Sequence, residues 1–168
     1  MKKQTKALVR GAVIAALYAA LTLVAAAFAF TAEQFRFSEA LTILPVFTPA
    51  AIPGLTLGCF LANLGSPYPL DMIFGTAASL LSAICTYLLR NVRFKNIPWL
   101  APLPPVLFNA VAVGLMITIS AGEGFMWPVA FLSNALMVGI SQFIVCYGLG
   151  LPFFLLIEKT GIKKAIFE

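Results

Sequence analysis

The sequence predicts an all-α integral membrane protein with six transmembrane helices and both termini on the cytoplasmic side. Of its 168 residues, 61% are hydrophobic and only 10% are charged, whereas soluble domains carry about 25% charged residues. The mean hydropathy is +1.00. At roughly 20 residues per span, the chain has room for about six spans and short loops. We therefore expect a single membrane domain over residues 1–168.

Six apolar segments follow one another along the chain. The first comes after a basic start and is longer than the apolar core of a signal peptide, about 7–15 residues. The last is long, so we expect tilt, an emerging end, or a bend near Gly148, Gly150 or Pro152. The approximate segments are 8–32, 37–47, 49–64, 71–90, 99–119 and 127–157.

The stretch 35–64 is the feature around which the other segments are arranged. It is almost wholly apolar, but it opens with Arg36 and Glu39 and is interrupted by three prolines. Charged side chains and broken helices at membrane depth are tolerated where they are buried in protein or line a cavity. We expect two short segments that border a small-molecule pocket. The break is predicted at Thr48-Pro49, because proline disfavours helix in the residue before it.

The basic residues predict the orientation. All but one of the 11 Lys and Arg residues lie in three clusters, at 2–10, 90–95 and 159–164. Such clusters favour the cytoplasmic side, so the number of crossings between successive clusters must be even. The stretch 35–64 must then cross the bilayer twice, which leaves Arg36 on the outer side. Four acidic residues gather there with it: Glu33, Glu39, Asp71 and Glu123.

Composition excludes several function classes. The chain has no histidine, which removes histidine-based triads, metal sites and proton relays. The acidic residues are scattered, the three cysteines lie in apolar runs without CxxC spacing, and no GxxxxGK[ST] loop is present to hold ATP phosphates. The basic clusters follow a membrane pattern, not that of a nucleic-acid-binding protein. We expect no enzyme activity, no metal and no cofactor of its own.

Polar side chains within or beside the apolar segments form a candidate substrate-binding set. A flat, neutral, polar heterocycle fits it. A carboxylate accepts two parallel hydrogen bonds from a guanine-type edge, amides match ring carbonyls and nitrogens, and aromatic rings cover the faces. The candidate residues are Arg36, Glu39, Asp71, Asn109, Trp127, Asn134 and Gln142.

Each candidate has a structural alternative. Arg36 and Glu39 are three residues apart and could form an ion pair on one helix face. Asp71 could cap the helix that it begins. The amides could join neighbouring helices by hydrogen bonds, and Trp127 could belong to the aromatic belt at the membrane interface.

Small residues recur every four positions in the first helix. Ala12 with Ala16, and Ala15 with Ala19, each form an AxxxA face. Small faces let helix backbones approach closely in lipid. Such a face serves either packing within the bundle or docking of another membrane subunit.

Three sequence blocks resemble the QueT family over essentially the whole chain: FRFSEALTILPVFTPAAIPGL, LDMIFGTAASLLSA and LAPLPPVLFNAVAVG. The resemblance implies a six-helix substrate-binding (S) component of an energy-coupling factor (ECF) transporter in a bacterial-type plasma membrane. It implies capture of a queuosine precursor, a 7-deazaguanine base, in a pocket that opens outward.

The resemblance also implies partners, namely a transmembrane coupling subunit and two cytoplasmic ATPase subunits that use the ATP. An AxxxA face of the first helix meets the coupling subunit in such proteins, and both alanine pairs match. Two alternatives stay open. One is an S component for another vitamin-like heterocycle, such as a flavin or a pterin. The other is a non-transporting membrane scaffold subunit, which would have neither pocket nor ligand.

Overall fold

A computed structural model describes residues 3–31, 34–122 and 126–160, and it is all-helical over these residues. Glu33, Glu123, Lys2, Lys163 and Lys164 of the predicted charged sets lie outside the described residues. The elements in chain order are α1 (Lys3–Val24), α2 (Ala26–Ala29), the central 3₁₀ helix (Phe37–Val46), α3 (Ala51–Asn63), α4 (Asp71–Leu88), a one-turn 3₁₀ helix (Leu89–Asn91), α5 (Leu103–Ala121), α6 (Trp127–Val145), a π turn (Cys146–Gly150) and α7 (Leu151–Lys159).

Four helical stretches in the described part of the chain are long and apolar enough to cross a membrane. They are Lys3–Val24, Asp71–Asn91, Leu103–Ala121 and Trp127–Lys159. Two shorter apolar helices, the central 3₁₀ helix and α3, occupy the proline-interrupted stretch. The predicted all-helical membrane class is confirmed at this level.

The helix bounds differ from the predicted segments at two places. α1 begins at Lys3 and ends at Val24 instead of covering 8–32. The helix starts before the apolar run because unbranched side chains such as Lys3, Gln4 and Lys6 lose little rotamer freedom in a helix. α5 begins at Leu103 instead of 99. Its first turn contains Pro104 and Pro105, and proline fits there because first-turn N–H groups have no partner within the helix.

The central 3₁₀ helix is the most enclosed element. Ser38, Glu39 and residues 41–46 are all buried. The helix contacts α1, α3, α4, α6 and α7. A 3₁₀ helix rises about 2.0 Å per residue, so its 10 residues extend ~20 Å, about a third more than the same number in an α-helix. A short segment thereby gains much of the depth of a span.

Direct backbone contact joins α1 to α3. A Cβ atom added to Gly58 would lie 2.8 Å from the carbonyl oxygen of Ala15, and one added to Gly54 would lie 2.7 Å from that of Gly11. Only glycine allows this approach, which is the close packing that small residues provide between membrane helices.

The π turn interrupts the last long helix at Cys146–Gly150, where the sequence predicts a departure from a straight helix. Gly150 faces the backbone of Ala40, and a Cβ there would lie 3.5 Å from the Ala40 carbonyl oxygen. The π turn therefore packs against the central 3₁₀ helix. Single π turns of this kind are common at functional sites.

The described basic residues other than Arg36 lie at one end of the bundle. Arg10 of α1 and Ile157 of α7 line the same apolar cavity of about 430 Å³. Arg93, after α4, bonds Glu158 of α7 at 3.2 Å. Arg36 and Asp71 pair with each other at the far end of α4. Apart from Glu39, the described charged residues thus lie at the two ends of the bundle.

Candidate substrate-binding site

Arg36 forms a buried clamp at the end of the bundle opposite the basic clusters. Its Nη2 lies 2.5 Å from Asp71 Oδ2, and its Nη1 donates to Asn63 Oδ1 at 2.9 Å. Its Nε donates to the carbonyl oxygen of Ala29 at 3.3 Å. The guanidinium therefore ties α2, α3 and α4 to the segment that precedes the central 3₁₀ helix. Arg36 pairs with Asp71, not with Glu39 as the alternative interpretation of the sequence had it.

Local structure sets the geometry of the clamp. Arg36 is extended, with φ −106° and ψ 110°, so its side chain turns back toward α3 and α4. Asn63 lies in the last turn of α3 and donates to the Asp71 carbonyl oxygen at 2.8 Å. Gly75 leaves room for the pair, because a Cβ there would lie 2.7 Å from Asp71 Oδ1.

The Arg36 guanidinium keeps its charge. Burial lowers the pKa of Arg36, but nearby acidic groups, Asp71 foremost among them, more than offset this, and the pKa lies above its ordinary value. Asp71 begins α4, and its Oδ2 also accepts from Ser66 Oγ at 3.0 Å. Asp71 thus serves as the counter-ion of Arg36.

Glu39 is the centre of a second polar group inside the bundle. Tyr18 of α1 donates its hydroxyl to Glu39 Oε1 at 2.5 Å. The Asn109 amide of α5 lies next to the carboxylate and donates to Gln142 Oε1 of α6 at 3.2 Å. Glu39 Oε2 is buried and has no hydrogen-bond partner among the described residues. Three predicted site residues, Glu39, Asn109 and Gln142, are thus brought together.

Further polar contacts surround this group. Thr42 donates to the Glu39 carbonyl oxygen at 2.6 Å, and its hydroxyl lies 3.7 Å from Cys146 Sγ. One turn after Tyr18 on α1, Thr22 makes a second contact with the central 3₁₀ helix, a hydrogen bond of 2.6 Å with Ser38. The central 3₁₀ helix is therefore held by side chains from α1 and from the π turn.

Several buried polar atoms near these two groups have no partner among the described residues. Both side-chain atoms of Gln34 are unpaired although the residue is 1% exposed, and its φ is +51°. Asp71 Oδ1 and the hydroxyls of Ser79 and Ser82 on α4 are also unpaired. An unmade hydrogen bond in such surroundings costs about 1–3 kcal/mol. Such atoms in native proteins are normally satisfied by water or a ligand.

Two predicted site residues lie apart from both groups. Asn134 of α6 donates to Thr118 Oγ1 of α5 at 3.0 Å, which is the interhelical role that the sequence left open. Trp127 is 41% exposed and stacks on Phe131 with ring centroids 5.7 Å apart. The described contacts of these residues do not connect them with Glu39 or Arg36.

Sequence reasoning missed Tyr18, Gln34 and Asn63. Tyr18 lies inside an apolar helix, where tyrosine is easily taken for a packing or interfacial residue. Asn63 ends an apolar run, where polar residues are expected in any case. The available signal was that polar side chains inside lipid-buried helices need partners.

The two alanine pairs of α1 lie in different surroundings. Ala15 is buried against Gly58, and Ala19 is half-buried. Ala12 and Ala16 are exposed. The Ala15 and Ala19 pair therefore contributes to the α1–α3 contact. The Ala12 and Ala16 pair leaves a small-residue face uncovered within the described chain.

Comparison with known proteins identifies the family. The family model described as the QueT transporter matches residues 8–159, which is nearly the whole chain. No curated protein and no solved structure matches the chain. The resemblance stated from the sequence is confirmed, and it assigns the chain to a family of transporters, not of enzymes. With its apolar helices, the protein is a multi-pass membrane protein that belongs to the QueT transporter family.

Proposed function

We propose that the protein is the substrate-binding (S) component of an ATP-driven ECF importer and captures a queuosine precursor, a 7-deazaguanine base, from outside the cell. One observation carries the proposal. Glu39 places a carboxylate among apolar helices with Oε2 unpaired, beside the amides of Asn109 and Gln142. A buried carboxylate in a membrane bundle is costly and is a functional-site hypothesis by default.

The donor and acceptor pattern suits a 7-deazaguanine base. The ring N–H and the amino group of its guanine-type edge are donors that a carboxylate accepts side by side. Glu39 Oε2 is buried without a hydrogen-bond partner among the described residues, and Oε1 keeps one lone pair because Tyr18 uses the other. Gln34, two residues before Arg36, has a buried amide without a partner among the described residues, and in this proposal it supplies a donor and an acceptor to the ring carbonyl and N–H.

The same proposal includes six membrane segments, with both termini on the cytoplasmic side of a bacterial-type plasma membrane. Support comes from the basic residues at one end of the bundle. The central 3₁₀ helix leads from Arg36 toward that end, where Val46 packs with Phe154. α3 then returns, because Asn63 in its last turn contacts Arg36 again. This course of the hairpin supports the two traverses that the charge pattern demands.

The exposed Ala12 and Ala16 pair is the proposed docking face for a transmembrane coupling subunit. Ala15 is already covered by α3, which favours the exposed Ala12 and Ala16 pair over Ala15 and Ala19 as the docking face. Two cytoplasmic ATPase subunits bound to the coupling subunit would hydrolyse ATP. The chain itself then needs no cofactor.

Calorimetry on the purified protein in lipid nanodiscs tests the proposal. A 7-deazaguanine base should bind in the nanomolar-to-micromolar range, and a flavin or a pterin should not compete. Glu39→Gln and Asn109→Ala should each weaken binding about tenfold or more. Asn134→Ala is the matched control, since this amide bonds Thr118, and it should leave the affinity unchanged.

Three results would point elsewhere. Tighter binding of a flavin or pterin would indicate an S component for another heterocycle. Absence of any bound heterocycle, with a folded protein, would favour the scaffold alternative. Unchanged affinity in both Glu39→Gln and Asn109→Ala would remove these residues from the site.

A further inference from the structure

Helix α1 has two faces with different surroundings. On one face, Tyr18 and Thr22 are 0% exposed and bond the central 3₁₀ helix. On the other face, Ala12, Ala16 and Ala20 are exposed. At 100° per residue, the exposed alanines lie roughly opposite Tyr18. One helix therefore joins the polar centre of the bundle to its uncovered small-residue face.

Two hydroxyl bonds connect α1 with the central 3₁₀ helix. Tyr18 bonds Glu39 at 2.5 Å, and Thr22, one turn later, bonds Ser38 at 2.6 Å. Among the described residues, these two bonds are the side-chain hydrogen bonds that join α1 to the central 3₁₀ helix. The Tyr18 bond is the shorter of the two, and it reaches the side chain that the proposed function places in the ligand site.

The Glu39 carboxylate makes the Tyr18 bond sensitive to a ligand. Tyr18 donates to Glu39 at Oε1, the Asn109 amide lies beside the carboxyl group, and Oε2 has no hydrogen-bond partner among the described residues. A ligand donor at Oε2 adds a second contact to a side chain that Tyr18 already holds at Oε1, so the two contacts fix the orientation of Glu39 together. Tyr18 cannot shift independently of α1 and α3, because its Cβ lies against Gly58.

We propose that Tyr18 is a positioning residue that orients Glu39 for the ligand and passes ligand occupancy to α1. This inference rests on the proposed function and adds a regulatory link to the same site. Binding at the Glu39 carboxylate then alters how α1 presents its exposed alanine face. The partner that reads this change is a membrane subunit docked on that face.

Tyr18→Phe removes the hydroxyl and keeps the ring. We expect ligand affinity to fall about tenfold, as for the loss of one hydrogen bond to a charged group. In a Glu39→Gln background, the same change should have little further effect, because the two residues act as one unit. Tyr147→Phe is the matched control, since its hydroxyl bonds the Trp99 carbonyl oxygen.

Thr22→Val separates positioning of Glu39 from general packing of α1. It removes the neighbouring bond to Ser38, and the bond that the Thr22 hydroxyl donates to the Tyr18 carbonyl oxygen at 2.9 Å, but leaves the Tyr18 hydroxyl and the Glu39 side chain in place. Its affinity should stay within about twofold of the wild type. An equal loss in Thr22→Val and Tyr18→Phe would show that both act through helix packing, which would overturn the role of Tyr18.

A spectroscopic readout tests the link to α1. A nitroxide is attached to Ala20→Cys in a Cys85→Ser background, with Cys59 and Cys146 buried. A saturating 7-deazaguanine base should change the spectrum with Tyr18 present and should not change it in Tyr18→Phe. A label at Val111→Cys, on the exposed side of α5, should report no change in either protein.

The outcomes separate this inference from the proposed function. If the protein with Tyr18 binds no 7-deazaguanine base, the proposed function fails and the inference with it. If it binds the base, but Tyr18→Phe changes neither the affinity nor the Ala20 spectrum, only the inference is overturned. If Tyr18→Phe does not fold, an unchanged Ala20 spectrum on ligand binding in the Tyr18 protein overturns it.

Discussion

Removal of Asp71 should destabilise the protein strongly, because it leaves the Arg36 guanidinium buried without a counter-ion. The side chains are 3% and 0% exposed. Asp71→Leu keeps two neutral acceptors for the guanidinium, Asn63 Oδ1 and the Ala29 carbonyl oxygen. Breaking one partner of a buried ion pair costs about 3–5 kcal/mol.

The ion pair at the other end of the bundle supplies the matched control. Arg93 and Glu158 pair at 3.2 Å, with side chains 30% and 28% exposed. Exposed pairs contribute about 0–1 kcal/mol, so Glu158→Leu should have a small effect. The two substitutions remove the same type of partner from the same type of pair and differ in burial.

Thermal unfolding in detergent, followed by tryptophan fluorescence, measures both variants. For a chain of this size each kcal/mol corresponds to about 2–4 °C, so Asp71→Leu should lower the Tm by about 6–20 °C. The double change Arg36→Met with Asp71→Leu should recover part of the loss, because neither charge is then left unpaired. If Asp71→Leu costs no more than Glu158→Leu, or if the double variant is less stable than Asp71→Leu alone, the clamp does not act as an ion pair.

Three other predictions concern single positions. Gln34→Met should lower ligand affinity about tenfold and leave the Tm of the free protein unchanged or higher, because the replaced amide is unpaired among the described residues. Calorimetry measures the affinity and thermal unfolding measures the Tm. A lower Tm with full affinity would contradict this prediction. Gly58→Ala should prevent stable folding, since its Cβ meets backbone at 2.8 Å, whereas Gly148→Ala, with nothing within 4 Å, should be tolerated. Ala16→Leu should abolish copurification of membrane and ATPase subunits but keep ligand binding; retained copurification contradicts the docking face.

The sequence predicts the membrane class and the main divisions of the chain from strong, local signals. Long apolar runs require helices in lipid, and prolines limit the two short segments. The ten-residue 3₁₀ helix was not predicted, because runs longer than 3–4 residues are uncommon and composition does not distinguish 3₁₀ from α. Its contacts with five neighbouring helices arise from tertiary packing.

The sequence predicted most of the polar residues of the candidate site, but not which of them contact one another. Helix periodicity relates Arg36 only to near neighbours such as Glu39, whereas its counter-ion Asp71 is 35 positions away. The grouping of Glu39, Asn109 and Gln142 depends on how three elements pack, which periodicity does not fix. Tyr18 was missed because tyrosine in an apolar helix is also typical of packing or of the membrane interface, and the partner of its hydroxyl is known only from the structure.

The central claim is that Glu39 lies in the ligand site of this transporter-family protein. Native mass spectrometry of protein released from membranes in the presence of a 7-deazaguanine base tests it most directly. The wild type should carry one bound base, and Glu39→Gln, with an unchanged Tm, should carry little or none. Equal occupancy in the two proteins, or a wild type that carries no base, would contradict the claim.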